Sequence, residues 1–141
     1  GGRDRIDYRD ATDSVTVNLG LQGTAQLISA LMGTDTFVNM EDIRDSRYND
    51  ILIGDAGDNS IRDIEGWDTI DGGACNDRVD YLDQNVVGGF TVDLSNGFGI
   101  DPLNTTDTLL NIETFAGRHS TTSSPAMRVQ TRSTVMVPLI R

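Results

Sequence analysis

Lysine is absent from this chain, and cysteine and histidine occur once each. A single thiol excludes an internal disulfide and a cysteine-built zinc site, so Cys75 reads either as a tolerated substitution or as a point of intermolecular pairing. The single imidazole, His119, lies outside the patterned part of the chain, and no serine–histidine–aspartate or cysteine–histidine arrangement can be drawn around it. Aromatic residues make up 6% of the chain and hydrophobic residues 37%. One domain of 141 residues with that composition cannot build a thick core and must draw part of its stability from elsewhere. No apolar run is long enough to cross a membrane. The chain starts at Gly1 with neither an initiator methionine nor a signal peptide, and it reads as a fragment of something longer.

Aspartate is what the sequence has in excess. The 22 acids outweigh 11 basic residues for a net charge of -11, and only Glu41, Glu65 and Glu113 among them are glutamate. An acidic surface repels nucleic acid and anionic membrane, which leaves cations as natural partners. Aspartate is also the short carboxylate of turns and metal cages, whereas glutamate favours helices.

The aspartates recur in order. Written in nines, residues 54–80 read GDAGDNSIR, DIEGWDTID and GGACNDRVD. The fourth place holds Gly57, Gly66 and Cys75; the sixth Asn59, Asp68 and Asp77; the eighth Ile61, Ile70 and Val79. Tyr48, Asn49, Asp50 and Leu52 keep the same register one unit earlier. Nine residues are two and a half helical turns, so successive units on a helix would face opposite sides. The period fits a tight glycine turn followed by a very short strand.

A longer repeat frames these nines. RIDY at 5–8 returns as RVDY at 78–81, VTVNL at 15–19 as FTVDL at 90–94, and DTFVNMEDI at 35–43 as DTLLNIETF at 107–115. The alternation in VTVNL and FTVDL predicts strands with one face inward. Within the first copy, Leu27, Ile28, Leu31 and Met32 recur at roughly helical spacing in residues 20–34. That segment reads as a variable excursion over one sheet edge or as a partner-binding helix. Its counterpart, residues 95–106, reads as a loop.

GGACNDRVDY resembles the nonapeptide GGxGxDxUx of the RTX, or haemolysin-type, calcium-binding repeats, in which U is a large aliphatic residue. VTVNL, GTDTFVNMEDI and SRYNDILIGDAGDN are similar to segments flanking such repeats in large secreted bacterial proteins, and the resemblance runs from residue 1 to about 117. It implies an all-β fold, a parallel β-roll or β-solenoid. Six residues turn and three form a strand, with consecutive turns on alternating edges and a full coil of eighteen residues. Residues 1–44 would be a solenoid flank, 45–80 the nonapeptide roll, and 81–117 a second flank. Calcium would sit between stacked turns, with Asp50 paired with Asp68 at one site and Asn59 with Asp77 at the other. Turn carbonyls near Gly54, Gly57, Gly66, Gly72 and Gly73 would complete the shell, and Leu52, Ile61, Ile70 and Val79 would fill the interior.

Calcium chemistry agrees with this residue set, since the hard cation takes six to eight oxygens in flexible geometry. Glycine at the fourth place permits positive φ. Stacked aspartates with little core beneath them would repel one another without metal, so binding free energy becomes folding free energy. Asn59 lacks a charge, Cys75 stands where glycine is expected, and Asp63 and Ile64 replace two leading glycines. These departures predict two sites at most, and weak ones.

Trp67, at a variable turn place, reads as an exposed aromatic rather than a sugar-stacking platform. Asn39 with Glu41, and Asn111 with Glu113, read as ladders between coils rather than paired catalytic groups. Residues 118–141 have no acid and four arginines, and they form an off-pattern tail. They read either as a divergent cap or as the product of a reading-frame slip near Gly117. In the shifted frame the segment from His119 can spell FNDLISGNAGANTLDGDGAADT, which aligns without a gap to residues 48–69.

The expected function is that of a non-enzymatic calcium-binding module of an exported protein, secreted by a type I route and folding on meeting extracellular calcium. Adjoining domains of the parent protein would be partners, with no nucleic acid, no membrane span, and cell-surface or polysaccharide contact left open. Two alternatives stand beside it: a metal-independent structural or adhesive solenoid, and a polysaccharide-acting enzyme fragment using carboxylates alone.

Overall fold

The structure, a computed structural model, describes residues 2–81 and 89–117 and the backbone of Ser120–Thr122. Within the first forty-four residues lie β1 (Arg5–Asp7), β2 (Thr16–Asn18), β3 (Ala25–Ser29), β4 (Gly33–Thr36) and β5 (Asp42–Arg44). The nonapeptides contribute β6 (Ile51–Ile53), β7 (Ser60–Arg62), β8 (Thr69–Asp71) and β9 (Arg78–Asp80), one strand every nine residues. Then follow β10 (Phe90–Asp93), β11 (Phe98–Ile100), β12 (Thr106–Leu110), β13 (Thr114–Ala116) and β14 (Ser120–Thr122). A 3-10 turn at Leu19–Leu21 is the one helical element among the described residues, so the class is all-β.

Successive nonapeptide strands go to different sheets. β1, β5, β7, β9 and β13 form a five-stranded sheet in that order, parallel throughout. The other sheet runs β14, β10, β11, β12, β8, β6, β2 and is parallel except where β11 joins its two neighbours. Ile43 pairs with Ile61 and Ile61 with Val79 in the first sheet, while Leu52 pairs with Ile70 in the second. Each of these partners is eighteen residues from the last, so the chain crosses both sheets once per two nonapeptides.

A three-residue strand turns only its middle side chain to the interior. In one sheet the inward row is Ile6, Ile43, Ile61, Val79 and Phe115, and in the other Val17, Leu52, Ile70 and Leu109, all buried. Leu52, Ile61, Ile70 and Val79 are 0% exposed, which the eighth place of the repeat predicts. The rows belong to one apolar cluster that runs from Ile6 to Phe115 through both copies of the long repeat. Burying such a side chain contributes about 1.5–3 kcal/mol, but each strand supplies only one.

The outer face of the five-stranded sheet collects arginine. Arg44 bonds Asp7 at 3.2 Å, Arg62 bonds Asp80 at 3.4 Å, and Arg78 bonds Asp80 at 3.0 Å, while Arg3 bonds Asp42. Arg3, Arg44, Arg62 and Arg78 are thereby committed to aspartates of that face.

Two segments bear on the sequence reading. Of the two readings of residues 20–34, the helix is not formed: after the 3-10 turn at Leu19–Leu21, β3 and β4 make an antiparallel hairpin. Gln26 and Ile28 turn inward, whereas Leu27 and Leu31 are exposed, so the helical spacing arose from residues on opposite faces of a strand and its turn. In residues 95–106, read as a loop, β11 inserts antiparallel between β10 and β12. The fourth place also varies: Gly66 has φ 134° and Cys75 φ 79°, whereas Gly57 is not in the positive region. Gly54, at the first place, has a different reason to be glycine, since a Cβ there would run into the carbonyl of Gly72. The expectations for residues 118–141, His119 among them, lie outside the described residues apart from the backbone of β14.

Candidate metal centre

Turns 45–50 and 63–68 lead from the five-stranded sheet to the seven-stranded one and so stack on one edge; turns 54–59 and 72–77 lead back and stack on the other. Place six is a ladder on both edges. On the first, the Asp50 N–H donates to Asp68 Oδ1 at 2.6 Å and the Asp68 N–H donates to Asp107 Oδ1 at 3.0 Å. On the second, the Asn59 N–H donates to Asp77 Oδ1 at 2.8 Å, and the Asp77 N–H donates to Glu113 Oε2 at 2.8 Å. The structure therefore brings together both sequence-predicted pairs, Asp50 with Asp68 and Asn59 with Asp77, but joins each through a backbone N–H.

That bonding leaves the four residues unequal as cation ligands. Asp50 accepts from the N–H groups of Val15 and Ser46 and from the Ser46 hydroxyl, which occupies both its oxygens. Asn59 accepts from the Asp55 N–H at 2.8 Å and donates its amide to the Glu41 carbonyl at 2.9 Å. Asp68 and Asp77 each keep one buried oxygen, Oδ2, with no hydrogen-bond partner. Of the predicted turn carbonyls, that of Gly72 packs onto Gly54, while the carbonyls over Gly66 and Gly73 belong to Tyr48 and Asp55 in the preceding turn of each stack.

Asp45, which the sequence reading did not single out, and Asp63, which it took for a departure from the repeat, complete the first edge. Asp45 and Asp63 hold the first place of their nonapeptides, eighteen residues apart, where the opposite edge has Gly54 and Gly72. Their carboxylates turn inward, and one oxygen each from Asp45, Asp63 and Asp68 lie within 4.8 Å of one another. Asp45 accepts from the Ile64 N–H at 2.9 Å through Oδ1, and its buried Oδ2 has no hydrogen-bond partner. Asp45, Asp50, Asp63, Asp68 and Asp107 are each exposed by 2% or less. One layer further on, Tyr81 takes the place that Asp45 and Asp63 hold, and its hydroxyl donates to Asp107 Oδ2 at 3.0 Å.

The electrostatics of this edge are those of like charges taken out of water. Burial raises the Asp45 carboxyl well above its usual range, and Asp68 and Asp50 push it the same way. Burial likewise lifts Asp68 to about 8, against the pull of the Asp50 N–H and with the added push of Asp107 and Asp50. Asp107 is raised by burial too, although the Asp68 N–H and the Tyr81 hydroxyl oppose it. Asp77, on the other edge, rises to about 6 through burial, with Glu113, Asp58 and Asp55 adding to it. Buried ions are ordinarily paired, and the charges acting on Asp45 and Asp68 are other aspartates.

The remaining singled-out residues have structural positions. Glu41 Oε2 accepts from the Asp4 N–H, and Glu113 Oε2 does the same for Asp77, so the two copies repeat one contact. Asn39 and Asn111 both adopt positive φ, 55° and 50°, in the turns before these acids; asparagine tolerates that region better than most residues. Trp67 is exposed, and its backbone N–H donates to Asn49 Oδ1 at 3.1 Å. Neither a family model nor a curated protein matches the chain.

Proposed function

We propose that this chain is a calcium-binding parallel β-roll module of an exported protein, which completes its folding on meeting calcium outside the cell. The observation that carries the reading is the first edge itself: four buried aspartates in two stacked turns with buried Asp107 of β12 beside them, and like charges rather than arginine acting on Asp45 and Asp68. A hard divalent cation that takes several carboxylate oxygens is the partner that relieves such a stack. The resemblance of GGACNDRVDY to the RTX nonapeptide and the eighteen-residue register support the same reading.

Calcium titration followed by circular dichroism and hydrodynamic radius tests it. Compaction in the range of weak extracellular modules, roughly 10⁻⁴ to 10⁻³ M, is expected, with magnesium a poor substitute. A chain that is already compact in chelator and indifferent to calcium would sink the proposal. In that case the metal-independent solenoid stands, and the ladder in which Asp68, Asp107, Asp77 and Glu113 accept backbone N–H groups is the observation that favours it.

A further inference from the structure

We propose that one calcium ion is held inside the roll on the first edge, by the carboxylates of Asp45, Asp63 and Asp68, and that the second edge holds none. The inference rests on the calcium-binding reading above and moves the site from the sixth-place pairs to a side-chain cage built on the first place of the repeat.

Three observations carry it. Oxygens bound to one calcium ion at 2.3–2.6 Å are at most about 5 Å apart, and the three carboxylates offer oxygens all within 4.8 Å. Asp45 Oδ2 and Asp68 Oδ2 are buried without a hydrogen-bond donor, on residues that are 0% and 2% exposed. An oxygen in that position loses its water and gains nothing unless a cation or a proton replaces it. Each carboxylate can bind through one or both oxygens, so the cage offers up to about six ligands.

The two edges differ in the residue that matters. At the first place, Asp45 and Asp63 alternate with Gly54 and Gly72, so carboxylate stacks on carboxylate on one edge and glycine on glycine on the other. Gly54 and Gly72 have no room for even a Cβ against the next turn. Asn59 has both ends of its amide engaged, which leaves Asp77 alone on that edge among the sixth-place residues of the roll. Tyr81 closes the first-edge cage at its far end, because it stands where a third first-place carboxylate would stand and gives its hydroxyl to Asp107. The donor set is all oxygen, which suits calcium and excludes the thiolate and imidazole preferences of zinc or copper.

Isothermal titration of the whole chain with calcium chloride, in chelator-treated buffer, tests the placement through the variants Asp45→Asn, Asp63→Asn and Asp77→Asn. Asparagine keeps the Oδ1 acceptor that Ile64 and Asn59 use, so the ladders survive the change. The expected result is one ion per chain, a loss of roughly 10-fold or more in affinity for each of the first two variants, and a change within about 3-fold for the third; 10-fold corresponds to about 1.4 kcal/mol. Asp77→Asn weakening binding as much as Asp45→Asn overturns the placement while leaving calcium binding intact. No binding by the unmutated chain removes the calcium reading itself. Should the first-edge variants fail to fold, terbium luminescence lifetimes of the unmutated chain in H₂O and D₂O count the waters on the bound ion. At most about two are expected in the cage, and four or more overturn it.

Discussion

Replacing Asp68 by asparagine should let the chain fold without calcium at neutral pH. Its carboxyl has a usual value of 3.8 and is raised to about 8 by burial and by Asp107 and Asp50. For a group whose folded value lies above its unfolded value, the stabilisation is complete below the lower value and is lost as pH rises through the higher one. In chelator, therefore, Asp68 favours folding below about pH 4 and opposes it increasingly up to pH 8. Between 3.8 and pH 7, at about 1.36 kcal/mol per pH unit, the loss is on the order of 4 kcal/mol. That is a large part of the stability of a small domain.

Asparagine at position 68 carries no charge to be desolvated and still accepts the Asp50 N–H through Oδ1. The assay is urea denaturation in chelator, followed by far-ultraviolet circular dichroism between pH 5 and pH 8. The unmutated chain should gain structure as pH falls through this window, with Asp77, raised to about 6, adding to the trend. Asp68→Asn should be more stable than the unmutated chain at pH 7 and have a flatter pH profile. Calcium narrows the gap, because at 100 times its dissociation constant a ligand adds about 2.7 kcal/mol that the variant forgoes. A pH-independent fold in chelator, or a variant less stable than its parent there, would refute the reasoning.

Cys75 carries φ 79°, so Cys75→Gly should relieve a left-handed cost of about 1–2 kcal/mol. After the entropy that glycine loses, a net gain of about 1 kcal/mol in calcium remains, read as a shift of the urea midpoint. Gly54→Ala should cost about 1–3 kcal/mol by forcing a Cβ against the Gly72 carbonyl. Calorimetric melting in calcium measures that cost, and a neutral result would show that the turns do not stack this closely. For residues 118–141, the nucleotide sequence is the check: codons that cannot spell asparagine, aspartate and glycine at the repeat places in the shifted frame end the frame-slip reading.

The strands were the most legible part of the sequence because a short period constrains them twice. An aliphatic residue every nine places marks the inward side chain, and a coil of eighteen follows once consecutive turns lie on opposite edges; Leu52, Ile61, Ile70 and Val79 then fall in their rows. The hairpin β3–β4 was less legible because Leu27 and Leu31 are exposed, so hydrophobicity there reports no buried face. The alternation of Gln26 and Ile28 against Leu27 was the available signal, and a buried glutamine conceals it: Gln26 accepts from the Asn18 N–H and donates to the Asn18 carbonyl. β11 was illegible because three residues, one of them glycine, carry no period.

At the candidate site the repeat pattern hid the residues on which the proposed cage depends. Measured against GGxGxDxUx, Asp63 is a departure that should weaken a site, and Asp45 stands in a unit that lacks the repeat's glycines. Comparing each unit with its neighbour keeps that impression, since the first place alternates between aspartate and glycine. Comparing units eighteen residues apart, as the stacking does, turns the same letters into Asp45 over Asp63 on one edge and Gly54 over Gly72 on the other. The physical distinction follows at once. Glycine at the first place lets the next turn approach until carbonyl meets backbone, whereas aspartate there sends its carboxylate into the buried interior, where Asp68 already stands. Such an arrangement is costly in the absence of a counter-charge, and the arginines of the five-stranded sheet are bonded to Asp7, Asp42 and Asp80 on its outer face. An edge made this way depends on what is added to it, a proton at low pH or a hard cation at neutral pH. On the proposed reading, that dependence would keep the chain loosely folded until it reaches calcium.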